Sequence, residues 1–180
     1  MVTRLGHLSY SQGFVCGLTA AQWTALRYFA KANRFSRTLS AFADYHATTR
    51  GTASQTVKSL VNHGLVTRIR SKSDGRSVQF DLTERGRVVH GQDPFKELTR
   101  AIEELPQGLQ AKLHTALERV TGCMAHECQR PSFGSCVSCL HLEECVPYED
   151  NVTDYFCRVE NEPIEESKLE KICINYEPGA

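Results

Sequence analysis

The sequence has no apolar run of 18 residues, so no segment is suited to cross a membrane as a helix. Its first residues, MVTRLGHLSYSQGF, lack the apolar core of a secretory signal. These two absences lead us to expect a soluble, cytoplasmic protein with no membrane partner. There is no internal repeat and no net charge, because 21 Lys and Arg balance 21 Asp and Glu. A chain of 180 residues suits one well-buried domain plus a small appendage and is too short for two full domains.

The first 122 residues are also nearly free of cysteine: seven of the eight follow them, and only Cys16 precedes. In a reducing compartment, clustered thiols are metal ligands or redox centres more often than disulfides. Charge is skewed along the chain as well. Residues 19–91 hold twelve Lys and Arg against four Asp and Glu, whereas residues 143–180 hold three against eleven. A basic domain followed by an acidic tail suggests nucleic acid as partner; two ordinary solvated surfaces would give the same counts.

Periodicity fills in the elements. Thr19 and Gln22 have capping-box spacing, and Trp23, Leu26, Phe29 and Ala30 recur on one helical face, predicting a helix to about Ala32. A short helix from Leu39 to His46 follows. Thr49 then caps a third, over 50–63, with Ala53, Val57 and Leu60 inward and Gly64 at its C′ position. Helices joined by a short polar turn, the second opening with polar and basic residues, form a helix-turn-helix pattern. Residues 65–71 and 77–83 read as strands around the turn Lys72-Ser-Asp-Gly75. Leu65, Phe80 and Leu82 are expected to face the core, with Arg68 and Arg70 outward. Residues 93–105 and 108–126 read as two helices, the second striped by Leu109, Leu113, Leu117 and Val120. Residues 129–180 are too polar to build a core of their own, and metal binding is one way to order them.

The run Asp74-Gly-Arg76-Ser-Val-Gln-Phe-Asp-Leu82-Thr83-Glu84-Arg-Gly86 resembles the D-x-R-x5-L-T-x-x-G wing signature of the MarR winged-helix transcription regulators, and GLTAAQWTALRYFAKA and NHGLVTRIR fit the same family. The resemblance implies a mainly α fold with a small β-wing: a winged helix-turn-helix domain over 1–92 with an N-terminal dimerisation segment, and dimerisation helices over 93–128; a cysteine-rich acidic arm over 129–180, read as metal-binding, follows them. It implies a homodimer on a double-stranded, pseudo-palindromic DNA operator. Arg50, Thr52, Ser54, Gln55 and Lys58 become recognition-helix candidates, Arg76 the wing arginine and Asp74 the acid that orients it. Elementary recognition chemistry agrees: Gln pairs with adenine, Arg with guanine, and a narrow minor groove attracts a guanidinium. Thr49, Arg70 and Lys72 are expected on phosphates.

The chain departs from the resemblance by continuing about fifty residues past the last long helix. Cys136-x2-Cys139-x5-Cys145, with Cys157 beyond, is a frequent plan for a [4Fe-4S] cluster: three local thiolates and one remote. Cys128 is the alternative fourth ligand. Val137, Leu140, Leu142, Val146, Tyr155 and Phe156 are expected to give it an apolar cover. Zinc is the competitor, although a second Cys-x2-Cys knuckle is missing. Cys173 reads as a packing residue. A thiol or electron-transfer enzyme would need a thioredoxin-like or ferredoxin-like pattern around Cys136, which is absent, so no catalytic residue is assigned. The sequence thus points to a regulator whose arm senses redox, oxygen, nitric oxide or iron status, or to one with a structural Zn2+ and a different effector.

Overall fold

The computed structural model describes residues 1, 3–6, 15–70, 78–148 and 151–179, leaving aside the side chains of 145–148 and 151–153. Among the described residues no helix is long and apolar enough to cross a membrane. Three helices, an antiparallel ribbon and a fourth helix build the core. The helices are α1 (Ala20–Lys31), α2 (Leu39–Tyr45), α3 (Arg50–Asn62) and α4 (Glu84–His90); the ribbon is β1 (Val66–Arg70) with β2 (Val78–Leu82). Two helices follow, α5 (Lys96–Glu103) and α6 (Gln107–Glu127), then a three-stranded antiparallel sheet of β3 (Leu142–Tyr148), β4 (Asn151–Cys157) and β5 (Glu162–Pro163).

Each core helix starts where its cap lies. The Thr19 hydroxyl accepts from the Gln22 amide while the Gln22 side chain accepts from the Thr19 amide, a complete capping box. Thr38, Thr49 and Thr83 cap α2, α3 and α4 in the same way, each accepting from an amide three residues on. At the end of α3, Gly64 takes φ 66°. Its amide donates to Val61 and that of Leu65 to Leu60, so two otherwise orphaned carbonyls are satisfied. Trp23, Leu26, Phe29, Phe42, Ala53, Val57, Leu60, Leu65, Val66, Phe80 and Leu82 form one buried cluster, as the periodicity predicts.

Three details differ from the sequence reading. The helix α4 was not foreseen, because only seven residues separate Thr83 from Gly91. In the ribbon, Val66 pairs with Leu82, Arg68 with Phe80 and Arg70 with Val78, so Arg68 and Arg70 share the face of Phe80 and Leu82 instead of opposing it. They are solvated because the ribbon leaves the body of the protein: Val66 at its base is buried and everything beyond it in β1 is exposed. Finally, α5 begins at Lys96, three residues later than expected. Asp93, buried, binds Arg27 at 2.6 Å and accepts the Phe95 amide, while the Arg27 guanidinium lies 4.6 Å from the Phe95 ring centre. None of the α5 or α6 residues is buried, so the apolar stripe of α6 stays open to solvent at Leu109, Leu117, Val120 and Met124.

The arm is ordered in two ways: by its own sheet and by docking on the core. Phe133 meets Tyr45 edge-on at 5.0 Å, next to a cluster of Tyr28, Phe42, Tyr45 and His46. His46 Nε2 is buried without a hydrogen-bond partner among the described residues. Burial, and after it the charge of Arg27, lowers the His46 pKa from 6.5 to about 4. As pH falls the unfolded chain therefore takes up the proton first. Stability is full above about pH 6.5 and is lost toward about pH 4, by about 3 kcal/mol. Burial lowers His90 in the same direction, which adds to the effect. Urea unfolding at about pH 7.5 and about pH 4.5 should show this loss, and His46→Phe should remove the larger part of it. An undiminished pH dependence in His46→Phe would contradict the assignment.

Candidate functional site

Two groups of side chains stand out. The first is the solvent face of α3. Arg50, Thr52, Ser54, Gln55 and Lys58 are all exposed, on the side away from buried Ala53, Val57 and Leu60. The first turn of α3 carries no acid, so its partial positive charge is uncompensated and adds to that of Arg50. Among the described residues no carboxylate pairs with Arg50, Lys58, Arg68 or Arg70. By contrast, Arg37 and Arg87 both share Asp81, at 2.8 and 3.9 Å. A face of cations, hydroxyls and one amide on a projecting helix is chemically suited to phosphates and base edges. Thr49, expected on a phosphate, uses its oxygen to accept the Thr52 amide at 3.2 Å and lies 2.9 Å from the Thr52 hydroxyl. Its first role is to start the helix. Behind α3, the Gln22 side-chain Nε2 donates to the Ser59 hydroxyl at 2.7 Å and fixes the helix on α1. Lys72, Asp74 and Arg76 lie outside the described residues.

The other half of the wing signature has a structural explanation. Thr83 caps α4 by accepting the Gly86 amide at 3.0 Å and donates its hydroxyl proton to the Gly64 carbonyl at 2.7 Å. Its amide donates to Leu65. A Cβ on Gly86 would stand 2.0 Å from the Leu65 carbonyl oxygen. Thr83 and Gly86 therefore lock the end of α3 to the base of the ribbon.

The second group is in the arm. Cys136 opens a short helical turn, and the Cys139 amide closes back on the Cys136 carbonyl at 3.0 Å. The Cys173 amide donates to Gly134 and the Cys136 amide to Leu169, each at 2.8 Å, which brings Cys173 alongside the turn. Cys157 ends β4 opposite Leu142, whose own amide donates to Cys139 at 3.2 Å. Four thiols thus share one neighbourhood. Burial, followed by the adjacent thiols of Cys173, Cys157 and Cys139, pushes the Cys136 thiol up to about 11, and burial raises Cys173 as well. Among the described residues no three His, Cys, Asp or Glu side chains stand ready as a metal-ligating group, so as they stand these thiols are not a ligand set.

Of the expected ligands, Cys136, Cys139 and Cys157 are brought together. Cys145 lies in β3, three positions past Leu142, with its side chain outside the described set. Cys128, the C-cap of α6, is exposed, as is Cys123. His141 binds Glu177 at 3.2 Å. Cys173, read as a packing residue, is indeed buried, and it also lies next to the other three thiols. Its signal lay in the alternation Ile172-Cys173-Ile174: both isoleucines pack on the core, which leaves the cysteine between them to the opposite side. The expected apolar cover is only partly present: Phe156 is buried and Leu142 and Tyr155 are half-buried, but Val137 and Leu140 are exposed.

Residues 17–77 match the family model described as MarR family. No curated protein sequence is significantly similar to the chain. Solved structures share its fold. CouR from Rhodococcus jostii RHA1, bound to p-coumaroyl-CoA, is 19% identical with a TM-score of 0.57, covering 66% of this chain and 87% of its own. A MarR transcriptional regulator from Methanosarcina mazei is 19% identical with a TM-score of 0.55, over 69% and 91%. FabT of Streptococcus pneumoniae, in complex with DNA, is 19% identical with a TM-score of 0.52, over 69% and 88%. About two thirds of this chain therefore carries the winged-helix fold of the MarR regulators.

Proposed function

We propose that the protein is a DNA-binding transcriptional regulator of the MarR type, acting in the cytoplasm as a homodimer. The observation that carries this reading is the exposed face of α3, with Arg50, Thr52, Ser54, Gln55 and Lys58 projecting from a capped, acid-free helix start. The stripe Leu109, Leu113, Leu117, Val120 and Met124 on α6, exposed except for half-buried Leu113, supports the dimer, since steps of three and four residues match a helix-pairing face. A two-fold dimer calls for a pseudo-palindromic operator, with α3 in the major groove and Arg76 reaching the minor groove.

Selection of binding sites from randomised duplexes by the full-length protein tests this. Gln55→Ala should cost about 1–3 kcal/mol and relax preference at one base pair. Arg50→Ala should weaken binding and reduce the salt dependence of the affinity. Failure to enrich any duplex, or unchanged binding by both variants, would contradict the reading.

The thiols of the arm belong to the same proposal as its input. A [4Fe-4S] cluster would supply sensitivity to redox, oxygen, nitric oxide or iron status, and Cys136, Cys139 and Cys157 are the thiols that would hold it. Cys145 and Cys173 compete for the fourth place. The exposure of Val137 and Leu140 supports a second reading, a structural Zn2+, which needs no apolar shield. Anaerobic isolation separates the two: iron with acid-labile sulfide favours the cluster, and one zinc per chain the structural site.

A further inference from the structure

We infer that Cys136, Cys139, Cys157 and Cys173, which share one neighbourhood but do not stand as a ready ligand set, converge on metal loading into one four-thiolate site, and that Cys173 makes the bound ion a lock between the arm and the loop that is hydrogen-bonded to the wing. This rests on reading the arm as metal-binding and goes beyond it in naming the fourth ligand and the route of control. Three backbone links bring the cysteine-bearing segments together: Cys173 to Gly134, Cys136 to Leu169, and the Leu142 pairing of Cys157. Cys145 stands three positions along β3 from that pairing, about 10 Å of strand. Binding a divalent ion at four thiols releases four protons to solvent and leaves four thiolates around it.

The segment carrying Cys173 is bonded to the core loop on both sides of the cysteine. The Ile172 amide donates to Lys31 and the Asn33 amide to Ile172, each at 2.9 Å, and the Ile174 amide donates to the Ser36 hydroxyl at 2.8 Å. Ser36 is fully buried, and its carbonyl accepts the Tyr28 hydroxyl proton at 2.7 Å. The far end of the same loop holds the wing: the Phe80 amide donates to Arg37 at 2.8 Å, and Thr38 bridges Gln79. An ion that fixes Cys173 against Cys136 and Cys139 therefore fixes one side of the loop whose other side positions β2. Wing placement follows occupancy of the site without any contact between metal and DNA.

The test is an anaerobic titration of reduced, metal-free, full-length protein with Co2+ alone, read by thiolate-to-cobalt charge transfer, together with amide hydrogen exchange. Cys173→Ala should weaken Co2+ binding by at least about a hundredfold. Cys173→His should restore binding with one thiolate fewer, and Cys145→Ala should bind like the wild type. Co2+ should slow exchange at Ile172, Ile174 and Phe80 in the wild type and not in Cys173→Ala. Trp23 fluorescence reports whether each variant keeps its core; if Cys173→Ala unfolds, Cys173→His and Cys145→Ala decide. Full binding by Cys173→Ala, loss of binding in Cys145→Ala, no binding by the wild type, or Phe80 exchange indifferent to Co2+ would each overturn the inference. None of these readouts uses DNA, so failure here is distinct from failure of the regulator reading.

Discussion

Gly86→Ala is expected to destabilise the protein by about 3 kcal/mol, the cost of forcing a methyl group into a packed backbone contact. The Cβ would meet the Leu65 carbonyl oxygen at 2.0 Å and its carbon at 3.0 Å. Both atoms are main chain, held by the Leu65 amide bond to Leu60 and by the Thr83 amide bond to Leu65, so neither can swing aside. Relief requires α4 to move off the base of the wing. Gly108→Ala is the control, since nothing lies within 4 Å of that position, and it should change stability little. Urea midpoints measure both. A Gly86→Ala change below about 0.5 kcal/mol would show that the close approach is not a constraint.

Asp93→Ala is expected to cost about 3 kcal/mol, because it removes a buried carboxylate from a half-buried guanidinium. The side chains of Arg27 and Asp93 are 14% and 5% exposed and meet at 2.6 Å. The same carboxylate accepts the Phe95 amide at 2.9 Å just before α5, so its loss also frees a donor at that turn. Asp93→Asn keeps an acceptor there and should cost less. In Arg27→Met the Asp93→Asn change should cost less again, because the two residues act as a pair. A loss under about 1 kcal/mol for Asp93→Ala would mean that solvent replaces the carboxylate readily. The functional consequence concerns geometry: Asp93 ties α1 to the chain leading into α5 and α6. In the proposed dimer it thereby relates the pairing face to the recognition helix.

The parts legible in the sequence were those whose causes are local. Thr19 and Thr49 cap the next helix through amides three residues away, so two helix starts could be read from residue type and spacing. The Gly64 stop and the inner face Ala53, Val57 and Leu60 are local in the same sense. The helix α4 was harder because Thr83 and Gly86 had already been read as a wing signature, and seven residues give too little periodicity. The facing of Arg68 and Arg70 failed for another reason. Strand pairing fixes which face they share, but the departure of the ribbon from the core decides their exposure.

The arm was least legible. Its sheet depends on pairing between β3 and β4, and its docking depends on Ile172 and Ile174 finding the loop after α1, more than 130 residues earlier. Sequence distance alone favoured Cys145 over Cys173. In the fold Cys173 lies beside Gly134 through a backbone pair, whereas Cys145 lies along a strand. The exposure of Val137 and Leu140 was equally out of reach, because neither hydrophobicity nor spacing says on which side of a three-residue turn a side chain falls.

The most direct test is the affinity of the full-length protein for a selected operator, measured at fixed salt with the arm's metal loaded and then stripped. A change of at least about tenfold, lost in Cys173→Ala and accompanied by altered exchange at Phe80, is the expected result. Equal affinity in the two states would contradict control of the winged helix by the cysteine centre.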